Sequence, residues 1–294
     1  MNPEHYQPHQ VTIVGCGDIG LRTAIRWLSH AIPVHGVARS ESSVAMMQAA
    51  GITPHIADLD DPGTLASLPS ANSLLYYFAP PPKHGKQDTR MENFLTGLKT
   101  SGLPEKLVYL STSGVYGDQQ GRCVTEQTPP SPQVDRACRR YDAEQQLRDF
   151  SKKHELALVI MRVGGIYGPG RLPEKRLRDR VPIIHEHLAP KTNRIHADDL
   201  ALVCEAAGSH GRAGEVYNVS DGTESNMTEY FKQIADHLGL PRPPEIGWDE
   251  AERTLSAGML SYLRESRRMD NSKMLRELGV MLQYPTLQNW LDSG

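Results

Sequence analysis

The chain has 294 residues, 23% charged and 38% hydrophobic, which is enough for one large globular domain or a domain with a smaller lobe. Its net charge of −3, from 32 basic against 35 acidic side chains, excludes a global field that would draw it to nucleic acid or anionic lipid. The four scattered cysteines (Cys16, Cys123, Cys138, Cys204) form no disulfide framework or metal spacing, and no apolar run approaches the ~18 residues of a membrane span.

In chain order, the polar start MNPEHYQPHQ has no apolar core and is not expected to be a signal peptide. A reduced, cytoplasmic protein is the expectation. VTIV then reads as a buried strand, followed by GCGDIG and a helical pattern through Ile19, Ala24, Trp27 and Leu28. Strand, Gly-x-Gly-x-x-Gly and helix in that order predict a dinucleotide site. Gly15 permits the tight turn, Gly17 lets the backbone approach a pyrophosphate, and Gly20 allows close packing of helix on strand. Cys16, Asp18 and Ile19 complete that cofactor-binding loop. The helix N-terminus supplies free N–H groups for the phosphates.

The second strand, IPVHGVARS, ends on Arg39 and Ser40, where a site for NAD would carry an acidic residue. A guanidinium there suits a 2′-phosphate, so NADP is favoured over NAD, with an ordinary surface arginine as the alternative. A helix over SESSVAMMQAAG follows, then strands over ITPHIADLD, NSLLYYFAPPP, KLVYLSTSGVYG and LALVIMRVGGIYGPG, with helical patterns near 87–101 and 139–153. The alternation predicts an α/β fold with a doubly wound parallel sheet of the Rossmann type. Residues 1–170 are assigned to this domain and 171–294 mostly to a smaller C-terminal substrate lobe, with 195–221 returning to the first domain. The basic stretch from Arg171 to Arg194 is read as a solvated face before an anion site. His185 and His187, two apart, would point to opposite sides of a strand, and no metal site is expected.

These pieces together resemble the extended short-chain dehydrogenase/reductases, the NAD-dependent epimerase/dehydratase family, and in particular its atypical bacterial branch. The resemblance rests on GCGDIG, Asp58-Leu59, Ala79, LSTSGVYG, RVGGIYGPGR, RIHADDLA and EVYNVSDG, in that order along nearly the whole chain. It implies that Asp58 and Leu59 lie near the adenine, that Ala79 and Pro80 flank the middle of the cofactor, and that Thr112 is the catalytic hydroxyl. His196, Asp198 and Asp199 match an element that ties the two lobes together.

The sequence departs from the family at three places. Val14 stands at the first glycine of GxxGxxG. Gly165 stands where sugar-nucleotide enzymes carry an asparagine. The third departure is DRACRRYDAEQQL, where the family has Tyr-x-x-x-Lys. Glu144 and Leu147 fit the later positions of that helix, which puts Arg140 at the lysine place and Arg136 at the tyrosine place. The competing register keeps Tyr141 as the catalytic residue and accepts Gln145 for lysine. Glu144 is the favoured anchor, and Thr112, Arg136 and Arg140 are the expected catalytic set. An arginine cannot shuttle a proton, but it can clamp a carboxylate or phosphate. Tyr167 is a spare proton source.

Two functions follow. One is an NADP-dependent oxidoreductase or epimerase acting on a small carbonyl or hydroxyl compound, anionic or neutral, through a non-standard active site. The other is a catalytically inactive NADP-binding redox sensor. The enzyme is favoured by analogy with what the fold hosts. A small-molecule substrate is the expected partner, with no nucleic acid and no membrane, and a homodimer is left open.

Overall fold

Every residue of β1 (Val11–Val14) and β4 (Leu74–Tyr77) is buried. Such runs need cover on both faces, which only a sheet inside a layered α/β fold provides. The computed structural model describes residues 6–293. Residues 1–5, part of the amino-terminal stretch read above, and residue 294 lie outside it.

β2 (Val34–Ala38), β3 (Thr53–Ile56), β5 (Lys106–Thr112), β6 (Ala157–Val163) and β7 (Val216–Val219) complete a seven-stranded sheet in the order β7-β6-β5-β4-β1-β2-β3. All its neighbouring pairs are parallel. On one face α1 (Asp18–Ser29) and α5 (Ala197–His210) enclose Ile13, Trp27, Tyr76, Val108, Leu200 and Tyr217. On the other, α3 (Thr89–Ser101) and α4 (Asp135–His154) enclose Leu75, Tyr77, Phe94, Leu107, Leu147 and Ile160. The strand order reverses between β1 and β4, and a ligand crevice opens at such a switch point. α2 (Glu41–Ala49) links β2 to the edge strand β3.

The lobe is built on α6 (Met227–His237) and α7 (Ala257–Leu263). Its apolar interior holds Leu177, Ile183, Tyr230, Phe231 and Leu287, with a second cluster around Ile184, Ile246 and Leu263. Besides α5 and β7, α8 (Ser272–Leu278) packs on the sheet layer through Met274 and Leu278.

Three local expectations need correction. The sixth apolar run breaks at Gly164, where a Cβ would lie 2.7 Å from the Asn193 carbonyl oxygen. Gly165–Tyr167 leaves the sheet to pair with Arg194–His196. The third strand stops at Ile56, two residues before Asp58. His185 and His187 do not straddle a strand: the chain turns into a 3-10 helix after Ile184, and their rings stack with centroids 5.8 Å apart.

Candidate functional site

The switch-point crevice forms around the glycine loop. Gly15 has φ +87°, and a Cβ there would sit 2.5 Å from the Ala79 nitrogen, so β4 closes against the loop only because the side chain is absent. At Gly17 a Cβ would meet no described atom within 4 Å, so the space above it is open. Gly17 is also the N-cap of α1, and no described side chain caps that end. The first turn therefore presents free N–H groups to the opening, as a pyrophosphate requires. The loop residues Gly15, Cys16, Gly17, Asp18, Ile19 and Gly20, with Arg39 and Pro80, line a cleft of about 400 Å³. A dinucleotide fits this arrangement.

Arg39 is largely exposed, and Asp60 faces it at 3.9 Å. Ser40 caps α2, its hydroxyl accepting from the Ser43 N–H. Asp58 and Leu59 are not among the residues lining the cleft. The Asp58 carboxylate accepts from the Asp60 N–H (3.0 Å), and Leu59 packs towards the α3 layer, where its carbonyl takes a bond from Asn93 (2.8 Å). Arg171, not singled out from the sequence, reaches the loop and donates to Asp18 at 2.6 Å. Burial pushes the Asp18 carboxyl up, but bonds from Arg22 and Arg171 outweigh that and hold it below the usual range.

A second cavity, about 310 Å³, lies at the carboxyl ends of β5 and β6 beneath the lobe. Thr112, Arg136 and Arg140 all line it, with Lys191, Arg194 and Glu265 among the others. The Thr112 hydroxyl accepts from the Gly114 N–H (3.2 Å) and closes the strand end. Arg140 points Nη1 at the Leu110 carbonyl (3.1 Å) and, further off, at the Ala79 carbonyl (3.3 Å) and Tyr109 hydroxyl (3.4 Å). Arg136 stacks on Tyr262, 4.2 Å from ring centre to guanidinium carbon, and donates to the Ser261 hydroxyl at 2.7 Å.

The phase of α4 is set by a buried network. Glu144 accepts from Arg162 through both carboxylate oxygens (3.1 and 2.7 Å) and from the Ser111 hydroxyl (2.6 Å), with both charged side chains almost wholly enclosed. Arg162 in turn stacks on Tyr116, whose hydroxyl donates to Asn218. With Glu144 turned into the sheet, Arg140 and Arg136 fall one and two turns back along that side of the helix. Tyr141 packs instead with Val115, Tyr116, Val124 and Met269, away from the cavity. Tyr167 is buried against His196 and Trp290 and donates to the Tyr284 carbonyl. It is not among the residues lining the cavity, and burial pushes its phenol far up, which makes it a weaker proton donor.

Residues 11–220 match the description NAD dependent epimerase/dehydratase family. The chain belongs to that family. Protein YeeZ of Escherichia coli (strain K12) is 25% identical to it over 284 residues, which cover 94% of this chain and 96% of YeeZ. A conserved protein from Silicibacter pomeroyi superposes with a TM-score of 0.81 at 27% identity over 97% of both chains. DesIV, a dTDP-glucose 4,6-dehydratase from Streptomyces venezuelae solved with NAD, shares the fold at 21% identity and a TM-score of 0.78, covering 97% of this chain and 95% of its own.

The sequence reading missed the lobe's share of the cavity. Arg194 occupies the space that a side chain at Gly165 would fill: a Cβ there would lie 3.1 Å from its Nη1. Its guanidinium stacks on Tyr230 at 3.3 Å. Glu265 and Arg267 pair at 3.1 Å behind Arg136. The basic stretch was a signal, and it divides. Lys175 and Arg178 pair with Asp179 and Glu174 on the surface, while Lys191 and Arg194 face the cavity.

Proposed function

We propose that the protein is an NADP-dependent oxidoreductase or epimerase acting on a small anionic carbonyl or hydroxyl compound. The observation that carries this reading is the charge of the second cavity, where five basic side chains face a single carboxylate. A volume of about 310 Å³ is at the small end for ligand sites, which favours a compact substrate. The glycine loop and the open end of α1 would hold the pyrophosphate. Arg39 would pair with a 2′-phosphate, with Ser43 beside it on the cleft wall. A nicotinamide held there gives or takes hydride. Thr112 would hydrogen-bond the reacting oxygen, Arg136 would hold the anionic group, and Arg140, braced on the Leu110 carbonyl of β5 and the Ala79 carbonyl just past β4, would steady the strand ends beneath the cofactor.

NADPH fluorescence tests the cofactor half. Wild type is expected to bind NADPH more tightly than NADH, and Arg39→Ala to erase about tenfold of that preference, the size of a lost charged hydrogen bond. Equal binding of both cofactors by wild type sinks the NADP assignment. Turnover with a panel of 2-oxo and 2-hydroxy acids tests the rest. Cofactor binding without turnover of any compound favours the second reading, an inactive redox sensor. That alternative draws on Arg136, a cation in the place of the family's proton-carrying tyrosine. A homodimer belongs to the same proposal, and sedimentation velocity at micromolar concentration decides it.

A further inference from the structure

Four buried polar atoms on residues lining the second cavity have no hydrogen-bond partner among the described residues: Thr192 Oγ1, Arg194 Nε, Glu265 Oε1 and Arg267 Nε. A buried polar group left unpaired is costly, a charged one more so, and four around one cavity call for a ligand that completes them. The two arginine nitrogens only donate, and the threonine hydroxyl can do either. The carboxylate oxygen can only accept.

Glu265 is well held. Its side chain is 6% exposed, and Oε2 accepts from Nη1 and Nη2 of Arg267, both at 3.1 Å. Arg267 is itself anchored to the Gly117 carbonyl at 2.7 Å. Oε1 looks the other way, towards Arg136, whose Nη2 stops at 3.7 Å, too far for a hydrogen bond. Oε1, enclosed and ion-paired but without a hydrogen bond, therefore borders the position that Arg136 takes from the family's tyrosine. A ligand that filled the cavity with acidic groups alone would leave Oε1 unsatisfied and set like charges side by side. A ligand bearing an ammonium would satisfy Oε1 but meet five cationic side chains. A neutral donor avoids both conflicts.

We propose that Glu265 is a specificity-determining acceptor, whose Oε1 takes a hydrogen bond from a hydroxyl that the anionic ligand carries. The proposal rests on the anionic-substrate reading and narrows it to hydroxylated acids. It also accounts for a carboxylate buried in an otherwise basic site, where a pure anion receptor has no use for one.

Gluconate and hexanoate are suitable probes: each has six carbons and one carboxylate, and only gluconate has hydroxyls. Titration calorimetry on the NADP-loaded protein is expected to give roughly tenfold or greater preference for gluconate, the size of a hydrogen bond to a charged group. Glu265→Ala and Glu265→Gln should each reduce that preference several-fold; loss of the charge should strengthen hexanoate binding while NADPH affinity holds. The glutamine variant keeps a partner for Arg267, so the result does not depend on the alanine variant folding. Arg136→Gln should weaken both acids alike. If both acids bind wild type equally, or Glu265→Gln leaves the preference intact, the role of Glu265 is overturned and the anion reading stands. If neither acid binds, both fall.

Discussion

Arg136 and Tyr141 are five residues apart on α4, about 140° around the helix, and they face different surroundings. Arg136 lines the cavity, while Tyr141 packs against Val115 and Met269. The sequence offered both registers, and Glu144 was the favoured anchor because it and Leu147 match later positions of the family's helix; a glutamate enclosed there also needs a cation. Glu144 finds one in Arg162. Breaking such a pair leaves a charge stranded, so Glu144→Ala should lower stability by about 3–5 kcal/mol, read from urea unfolding at neutral pH. Tyr141→Phe should leave NADPH and hexanoate binding unchanged, and a large loss of either would return Tyr141 to the site. Gly165 tells the opposite story. Its departure from the family's asparagine did not reveal what takes that space, because nothing local says that Arg194 fills the gap. Gly165→Asn should displace that guanidinium and weaken hexanoate binding several-fold.

At the scale of elements, the strands of the sheet were legible because burial on both faces demands continuous apolar runs, as in VTIV and LLYY. Their ends were not: Gly164 breaks a run only through the backbone of Asn193, far along the chain. The segment after β7 carries a further consequence. Asp221 is buried beside Arg194 and lines a small pocket with Tyr230 and Thr223, and burial pushes its carboxyl up to about 6 despite the bond from the Thr223 N–H (2.9 Å). The folded state therefore holds a proton more tightly than the unfolded chain does. Between about pH 4 and pH 6 the folded protein binds more protons, so this group's contribution makes stability fall as pH rises through that window. Asp221→Asn removes the charge. It should stabilise the protein above pH 6, by at most about 3 kcal/mol, and make little difference near pH 4. Melting curves at the two pH values check the sign, and equal effects at both would refute the assignment.

For the whole molecule, the sheet domain was readable and the lobe was not, for a physical reason. The glycine loop, Arg39 and Thr112 lie at strand ends whose positions follow from local pattern. Lys191, Glu265 and Arg267 reach the cavity from segments outside any motif, and Arg194 opens RIHADDLA, whose likeness gave that arginine no role. Among the described residues, no helix is long and apolar enough to cross a membrane. The element that the family likeness marked as a tie meets the last segment of the chain. His196 packs on Tyr284, and Asp199 accepts from the backbone N–H groups of Gln283 (2.7 Å) and Tyr284 (2.8 Å). That last contact spans 84 and 85 positions of sequence. Its consequence concerns time rather than affinity. A carboxylate in the first turn of α5 waits for a strand of backbone near the end of the chain, so the lobe cannot lock onto the sheet until almost the whole polypeptide is available. Closing so long a loop is slow, and late docking of one part on another is where larger chains pause. Refolding should show a fast phase for the sheet and a slower one for docking, and Asp199→Ala should chiefly slow the second.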